Sequence, residues 1–203
     1  MISPESIMLV EKADLPEASK ALGKDDISRL VEWLGTKDDN LRYQSLLLLQ
    51  HRSALFSDVY PFWDVFREKI RSDNSYQRSV GLMLLADNAK WDTANKMEDT
   101  ISEFLAVLKD EKPITVRQCI QALGKIASCR PDLHQRIVAA LVSLDLANVK
   151  ETMRKSILLD ILRVLIVVRE EPASDQIEDY IRNALSGEVL GRKSKREIEA
   201  LLR

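Results

Sequence analysis

Four apolar segments recur along this chain at a nearly constant interval, and each has one arginine at its third position. The arginines are Arg42, Arg78, Arg117 and Arg154, which follow one another at spacings of 36, 39 and 37 residues. The segments that contain them are 40–49, 76–85, 115–124 and 152–161. Each has apolar residues three and four positions apart, which predicts a helix buried along one broad face. A repeat of this length is typical of stacked helical units.

A second helix is predicted ahead of each arginine segment, with a short polar turn between the two. The predicted first helices are 26–35, 59–71, 97–109 and 133–146. The turns contain Asp and Asn, which accept hydrogen bonds from free N–H groups at a helix start, and Pro113 suits a first helical turn. The unit is therefore a helical hairpin. One hairpin is too small to bury its own apolar face, so we expect the hairpins to stack.

The third repeat resembles the HEAT/armadillo family of helical repeats most closely. It has an acidic turn at Asp110, then Val116-Arg117 opening the second helix, then Ala122-Leu123-Gly124. This resemblance implies an all-α superhelix, a HEAT-like solenoid of about four to five hairpins. It also implies a ladder in which Asp110 and Arg117 tie neighbouring repeats together. Such folds host many functions, so the resemblance alone predicts none.

We expect a single domain over 1–203, in which the repeats lie between two atypical ends. The interpretation assigns 1–24 to an N-terminal cap, 25–170 to four repeats, and 171–203 to a C-terminal half repeat and cap. Ser174 is predicted to cap a helix that carries Ile177 and Ile181. The sequence Ser194-Lys195-Arg196-Glu197 has the spacing of a capping box and predicts the start of the last helix. Polar ends of this kind keep a stack of repeats soluble.

The composition favours a helical protein that acts by binding. The chain has 203 residues with only 6 Gly and 6 Pro, and 30 basic against 32 acidic residues give a net charge of −2. That balance favours neither a nucleic acid nor a membrane partner. Cys119 and Cys129 are too few for a disulfide framework, and no cofactor or metal motif is present. With no signal peptide recognisable at its start, we expect a cytoplasmic protein.

Aligned positions on the second helices give the candidate binding residues. If these helices line the concave face of the stack, positions one, four and eight residues after the arginines form rows. The polar members of those rows are Tyr43, Gln50, Ser79, Gln118, Gln121, Lys125 and Lys155. They are the predicted contacts for a protein or peptide partner. The leucines in the same rows are open to two interpretations, a binding ridge or part of the buried stripe.

Other residues also have two interpretations. Asp160 falls in a column of leucines, so it is either a charged anchor for a ligand or lies near solvent or against Arg163. Trp63 is either a stacking platform or a core residue, and Trp91 is the tryptophan expected to be most exposed. The basic tail segment 192–196 is either a site for an acidic partner or nucleic acid, or a solvated helix start. His51 and His134 have no partner pattern for catalysis or metal binding.

Two functions from different classes remain, and the first is preferred. The first is a non-catalytic protein-interaction scaffold that binds a partner through its concave face. The second is a DNA-repair enzyme, since the chain resembles the HEAT-like alkylpurine DNA glycosylases in size and repeats. Those enzymes use a basic concave face with Trp and Asp, for which Trp63, Asp64, Lys125 and Lys155 are the candidates here. A phycobilin-lyase-like accessory factor is a third possibility that no residue specifically supports.

Overall fold

The computed structural model describes residues 1–169 and 174–202. Over these residues the chain is helical, with short turns and no strand. Its contacts group it into two compact units, Met1–Thr100 and Ile101–Arg203. The predicted boundary between the repeats and the C-terminal half repeat, at 170–171, lies outside the described residues. The prediction of one domain over the whole chain stays a prediction.

In the first unit, four helices pack on two long central ones, the fourth and the sixth. The helices are α1 (Pro4–Met8), α2 (Leu15–Lys20), α3 (Lys24–Trp33), α4 (Asp39–Leu55), α5 (Trp63–Ile70) and α6 (Ser75–Asn88), followed by α7 (Lys96–Ala106), which continues into the second unit. The three N-terminal helices pack on α4, α4 packs on α6, and α5 packs on α6. The predicted hairpins of the first two repeats are therefore confirmed, and short helices precede them.

In the second unit, α8 and α10 form the centre. The remaining helices are α8 (Pro113–Ala127), α9 (His134–Val142), α10 (Glu151–Val167), α11 (Asp175–Ser186) and α12 (Arg192–Leu201). Helix α8 packs against α10 and α9, and α10 packs against α11 and α12. The long helices again begin just before the aligned arginines. Apolar residues of both, such as Ile120, Leu123, Ile161 and Leu165, are completely buried.

Local sequence explains where the helices begin. The Asp38 carboxylate accepts from the backbone N–H groups of Asn40 and Leu41 at the start of α4, and the Asn74 side chain accepts from Tyr76 N–H at the start of α6. Ser174 caps α11 as predicted. The predicted start of α12 is wrong, because Gly191 is the N-cap and the helix begins at Arg192. Ser194 lies buried inside that first turn, so its hydroxyl is not a cap.

The two helices of the second hairpin come unusually close at Gly81. A Cβ atom built on Gly81 of α6 would lie 2.6 Å from the carbonyl oxygen of Phe66 on α5. No side chain fits in that gap, because the obstructing atom is backbone and cannot rotate away. Gly81 thus lets α5 and α6 pack in contact along their backbones. Phe66 and Leu82 on either side of the contact are completely buried.

Candidate functional site

Three of the four aligned arginines bind the turn of their own hairpin. The Arg42 guanidinium donates to the carbonyl of Thr36 at 2.9 Å, and Arg78 donates to those of Ser72 and Asp73 at 2.9 and 3.0 Å. Arg154 donates to the carbonyls of Ala147 and Val149, both at 2.9 Å. Each bond links the start of the second helix to the preceding turn. The repeated arginine therefore fixes the geometry of the hairpin turn.

Arg117 occupies the same position in its repeat but binds a different partner. Its Nε donates to the Asp160 carboxylate on α10 at 2.6 Å, and its Nη2 donates to the other Asp160 oxygen at 3.4 Å. The resemblance implied Asp110 as the carboxylate partner of Arg117, and the structure corrects this to Asp160. The Asp110 carboxylate accepts from the backbone N–H of Lys112 within its own turn. Arg117 thus joins two successive second helices, α8 and α10.

Asp160 is the buried centre of this connection. The residue is only 2% exposed, although it is ionisable and falls in a column of leucines. Its carboxylate accepts from Arg117 and from the side-chain amide of Gln121 at 3.2 Å, and Arg163 Nη1 lies 3.6 Å away. The expected contact with Arg163 is confirmed, whereas the expectation of a place near solvent is wrong. A buried carboxylate needs such partners, because an unpaired one is strongly destabilising.

The connection continues to the last helix. The second amino group of Arg163, Nη2, donates to the Glu197 carboxylate on α12 at 2.6 Å. Arg117, Asp160, Arg163 and Glu197 therefore link α8, α10 and α12 through side chains. Their order is cation, anion, cation, anion, which places each charge next to an opposite one. Of this network, the sequence predicted only the contact between Asp160 and Arg163; the bonds to Arg117 and Glu197 were not predicted.

Beside this network, the exposed faces of α8 and α10 form a continuous surface, which we call the α8–α10 face. On α8 it contains Ile114, Gln118, Gln121 and Lys125, and on α10 it contains Lys155, Leu159, Arg163 and Val167. Residues four apart on one helix share a face, and the Arg117 and Gln121 bonds to Asp160 place the two helices side by side. Ile114 and Val167 are 69% and 50% exposed. The face thus combines cations, amides and exposed apolar side chains.

Four of the predicted contact residues lie on this face. Gln121, Lys125 and Lys155 are exposed, and Gln118 is half-buried. Gln121 is also tied to Asp160, so its side chain has a fixed orientation. They lie on two helices that pack against each other through a buried core, which makes a stable platform. The structure places these four within one unit, where they can act together.

The other three predicted residues lie in the first unit and differ from one another in exposure. Tyr43 on α4 is 46% exposed, whereas Ser79 on α6 is only 8% exposed. Gln50 is half-buried, and its amide donates to the Asp87 carboxylate on α6 at 2.7 Å. That bond links α4 and α6 much as Gln121 links α8 and α10. Tyr43 and Gln50 are accessible to a partner, whereas the Ser79 side chain is buried.

The indole N–H groups of Trp63 and Trp91 both donate hydrogen bonds within the fold. Trp63 is completely buried, and its indole N–H donates to the Thr100 hydroxyl at 3.2 Å. The interpretation of Trp63 as a stacking platform is therefore wrong. Trp91 is only partly exposed, and its indole N–H donates to the carbonyl of Ser53 at 2.8 Å, at the end of α4. The Lys90 ammonium lies over the Trp91 ring and donates to the carbonyl of Ala54.

The second unit also contains an open cavity beside its turns. Its volume is about 1160 Å³, and it lies between the turn before α8 and the turn before α10. Apolar residues such as Leu108, Val116 and Ile157 line it. Asp110, Lys112, Asp145, Lys150 and Glu151 also line it. Charges of both signs stand side by side there, so the cavity selects no ligand charge.

Cys119 and His134 take part in the local packing of the second unit. Cys119 is a free, fully buried thiol, and burial raises its pKa far above the usual range. A thiol in that state is a packed apolar group and not a nucleophile. A ring nitrogen of His134 lies 2.9 Å from the carbonyl of Ala127, which makes this histidine part of the local packing. Across 1–169 and 174–202, no three His, Cys, Asp or Glu side chains are grouped so as to hold a metal ion.

Comparison with known proteins supports the fold. No protein-family model matches the chain, and no curated protein matches it. Among solved structures, an engineered protein of the Northeast Structural Genomics Consortium is similar over the whole chain, with a TM-score of 0.61, 16% identity and 96% of that protein covered. A designed armadillo repeat protein in complex with the peptide (KR)4 is similar over 98% of this chain and 99% of its own, with a TM-score of 0.57 and 12% identity.

This chain has an armadillo-like, all-α repeat fold. The expectation from the repeated arginines and their predicted hairpins is thus confirmed. At 16% and 12% identity the comparisons show the fold alone. Within the described residues, no helix combines the length and apolar character that crossing a membrane requires.

Proposed function

We propose that this protein is a non-catalytic scaffold that binds a peptide segment of a partner protein through the α8–α10 face. The observation that carries the proposal is the row of accessible polar side chains on two mutually packed helices: Gln118, Gln121, Lys125 and Lys155. Amide side chains both donate and accept hydrogen bonds, so they suit the backbone of an extended peptide. Tyr43 and Gln50 are proposed as further contacts in the first unit, and Ser79 is left out because it is buried.

Two further facts support the proposal. A designed armadillo repeat protein of the same fold is known in complex with a peptide. The α8–α10 face also exposes Ile114 and Val167, whose side chains can cover apolar residues of a partner. The DNA glycosylase alternative is not proposed, because Trp63, its candidate aromatic residue, is completely buried.

Selection from a random phage-displayed peptide library tests the proposal. Peptides enriched on the wild-type protein should lose about tenfold or more in affinity when Gln118, Lys125 and Lys155 are changed together to Ala. The matched control is Gln176→Ala with Arg182→Ala and Lys24→Ala. These residues are exposed on other helices, and the control likewise removes one amide and two cationic side chains.

The two variants must have the same helix content and melting temperature as the wild type. If no peptide is enriched, or if the enriched peptides bind both variants equally well, the proposed function is wrong.

A further inference from the structure

The open cavity of the second unit lies where the two helices of a hairpin stay apart. In the second hairpin, Gly81 lets α5 and α6 touch along their backbones. Ile157 of α10 stands at the same repeat position, three residues after the aligned arginine. An isoleucine does not fit into such a backbone contact, so α9 cannot approach α10 as α5 approaches α6. Ala140 of α9 and Arg154 and Ile157 of α10 line the space that results.

A long turn forms one wall of this cavity. The turn between α9 and α10 spans 143–150 and is longer than the turn between α5 and α6. Arg154 donates to the carbonyls of Ala147 and Val149, which holds the turn beside the start of α10. The Asp145 carboxylate accepts from the backbone N–H of Ala147 within the turn. The wall is therefore fixed before a ligand binds, which lowers the entropic cost of binding.

The floor of the cavity is apolar. Leu108, Val116 and Ile157 line it and are buried, and the half-buried Leu105 and Leu144 widen the apolar surface. A ligand that covers these side chains removes apolar surface from water, which favours binding. The volume of about 1160 Å³ lies slightly above the range of roughly 300–1000 Å³ that is typical of small-molecule sites.

The charges around the cavity balance one another. Four cations and four anions line it: Lys109, Lys112, Lys150, Arg154, Asp110, Glu111, Asp145 and Glu151. The Lys112 ammonium lies 3.2 Å from the Glu111 carboxylate. The Asp110 and Asp145 carboxylates accept from backbone N–H groups of their own turns. A charged ligand would gain no net attraction here and would lose hydration at the apolar floor, so the cavity favours an uncharged ligand.

We propose that this cavity binds an uncharged, largely apolar small molecule, whose apolar part covers Leu108, Val116 and Ile157. This site is separate from the α8–α10 face, and the inference does not depend on the proposed function. Val116 lines the cavity and Gln118 lies on the face, and residues two positions apart on a helix point in different directions. A peptide on the α8–α10 face therefore leaves the cavity open to its own ligand.

Two fluorescent dyes that share one ring system test the inference. Phenylnaphthylamine is uncharged, and anilinonaphthalene sulfonate has the same rings with one sulfonate group added. Each dye is titrated into the full chain, and its fluorescence reports transfer from water to an apolar site. The uncharged dye should bind at about one molecule per chain, and at least about tenfold more tightly than the sulfonate.

Variants that fill the cavity locate the dye. Ala140→Phe places a ring in the cavity and should weaken binding of the uncharged dye by about tenfold or more. The matched control is Ala139→Phe, because Ala139 is the neighbouring residue of α9 and is exposed. The control should leave the affinity within about twofold of the wild type. Ser143→Trp is a second filling variant, at an exposed residue that also lines the cavity. Thermal unfolding shows which variants fold.

Each possible outcome decides the inference. If the uncharged dye does not bind, or binds both filling variants as tightly as the wild type, the cavity is not a ligand site. If the sulfonate binds equally tightly and Ala140→Phe abolishes its binding, the cavity takes an anion and the proposed ligand class is wrong. If a peptide enriched on the α8–α10 face displaces the dye, a peptide side chain occupies the cavity and the inference is overturned. The library selection tests the proposed function separately.

Discussion

The aligned arginines bind their own turns throughout the first unit, whereas in the second unit Arg154 does so and Arg117 does not. In the first unit, Arg42 and Arg78 both bind backbone carbonyls of their own turns. In the second unit, Arg117 instead binds the buried carboxylate of Asp160 on the following second helix. The same repeat position thus stabilises a turn in one place and connects two hairpins in another. A repeat position therefore predicts an arginine's location but not its partner.

The nature of the partner explains the difference. A turn carbonyl is present in every repeat, so an arginine beside it always has an acceptor within reach. An aspartate stands at this position in one repeat only, as Asp160. In the other three repeats the corresponding residues are Leu48, Leu84 and Leu123. The ionised carboxylate of Asp160 needs a cation once it is buried, and that requirement outweighs the turn carbonyls. A single substitution in the leucine column therefore redirects Arg117.

The largest effect is expected from Arg117→Met. This change leaves the buried Asp160 carboxylate with Gln121 and the more distant Arg163, and should lower the free energy of unfolding by about 3 kcal/mol. Urea denaturation followed by circular dichroism measures the change.

A double variant provides the control. Adding Asp160→Leu restores the leucine column, so the double variant should recover about 2 kcal/mol of the loss. If the two substitutions are simply additive, Arg117 and Asp160 do not act as a pair and the comparison between the units fails.

Glycine substitutions compare the helix contacts of the two units. Gly81→Ala should cost about 2 kcal/mol, because the new methyl group meets a backbone carbonyl that cannot move aside. Gly124→Ala in α8 should cost less than about 1 kcal/mol, because its new methyl group meets only a Val164 side-chain methyl group, at 3.2 Å. The same denaturation experiment measures both. Equal losses would mean that the close backbone contact between α5 and α6 is absent.

Loss of a turn contact should have a smaller effect. Arg78→Met removes the bonds to the carbonyls of Ser72 and Asp73, which can then bind water, so the expected cost is about 1 kcal/mol. This loss should be clearly below that of Arg117→Met. If Arg78→Met is the more destabilising of the two, the arginines of the first unit do more than hold their turns.

The smallest expected change in stability depends on pH and arises at the N-terminal cap of α3. The backbone N–H groups of Gly23 and Ile2 donate to the Asp26 carboxylate, and these bonds lower its pKa below the ordinary value of 3.8. The stabilisation that these two bonds provide is therefore complete when the pH is above the ordinary pKa of Asp. It is lost as the pH falls through the lowered pKa of Asp26.

Asp26→Asn should cost about 0.5 kcal/mol at neutral pH. The difference between wild type and variant should vanish in strong acid, as thermal unfolding at several pH values would show. A difference that grows toward low pH would contradict the assigned sign.

The helices were predictable because their signals are local. The apolar spacing and the capping residues Asp38, Asn74 and Ser174 lie within each helix or next to it. The start of α12 was mispredicted, since the segment at Ser194 carries a capping-box spacing while its Ser194 side chain is buried in the fold. Tertiary burial decides which of the two possible helix starts is used. The local sequence carries no signal for that choice.

The site was only partly predictable. Repeat alignment identified Gln121, Lys125 and Lys155 as surface positions, and the structure places them on one face. It also identified Ser79, which is buried because α6 is covered by both α4 and α5. The Arg117–Asp160 bond joins residues 43 positions apart, so it depends on how neighbouring helices align. The unusual aspartate in a leucine column was the one signal in the sequence.

Nuclear magnetic resonance of the isotope-labelled chain, titrated with a peptide enriched from the library, tests the account most directly. Backbone amide shifts should change at Gln118, Gln121, Lys125 and Lys155, and a peptide of the same composition in scrambled order should leave these signals unchanged. Shift changes confined to other helices, or the same changes with the scrambled peptide, would contradict the proposal that the α8–α10 face binds a peptide segment.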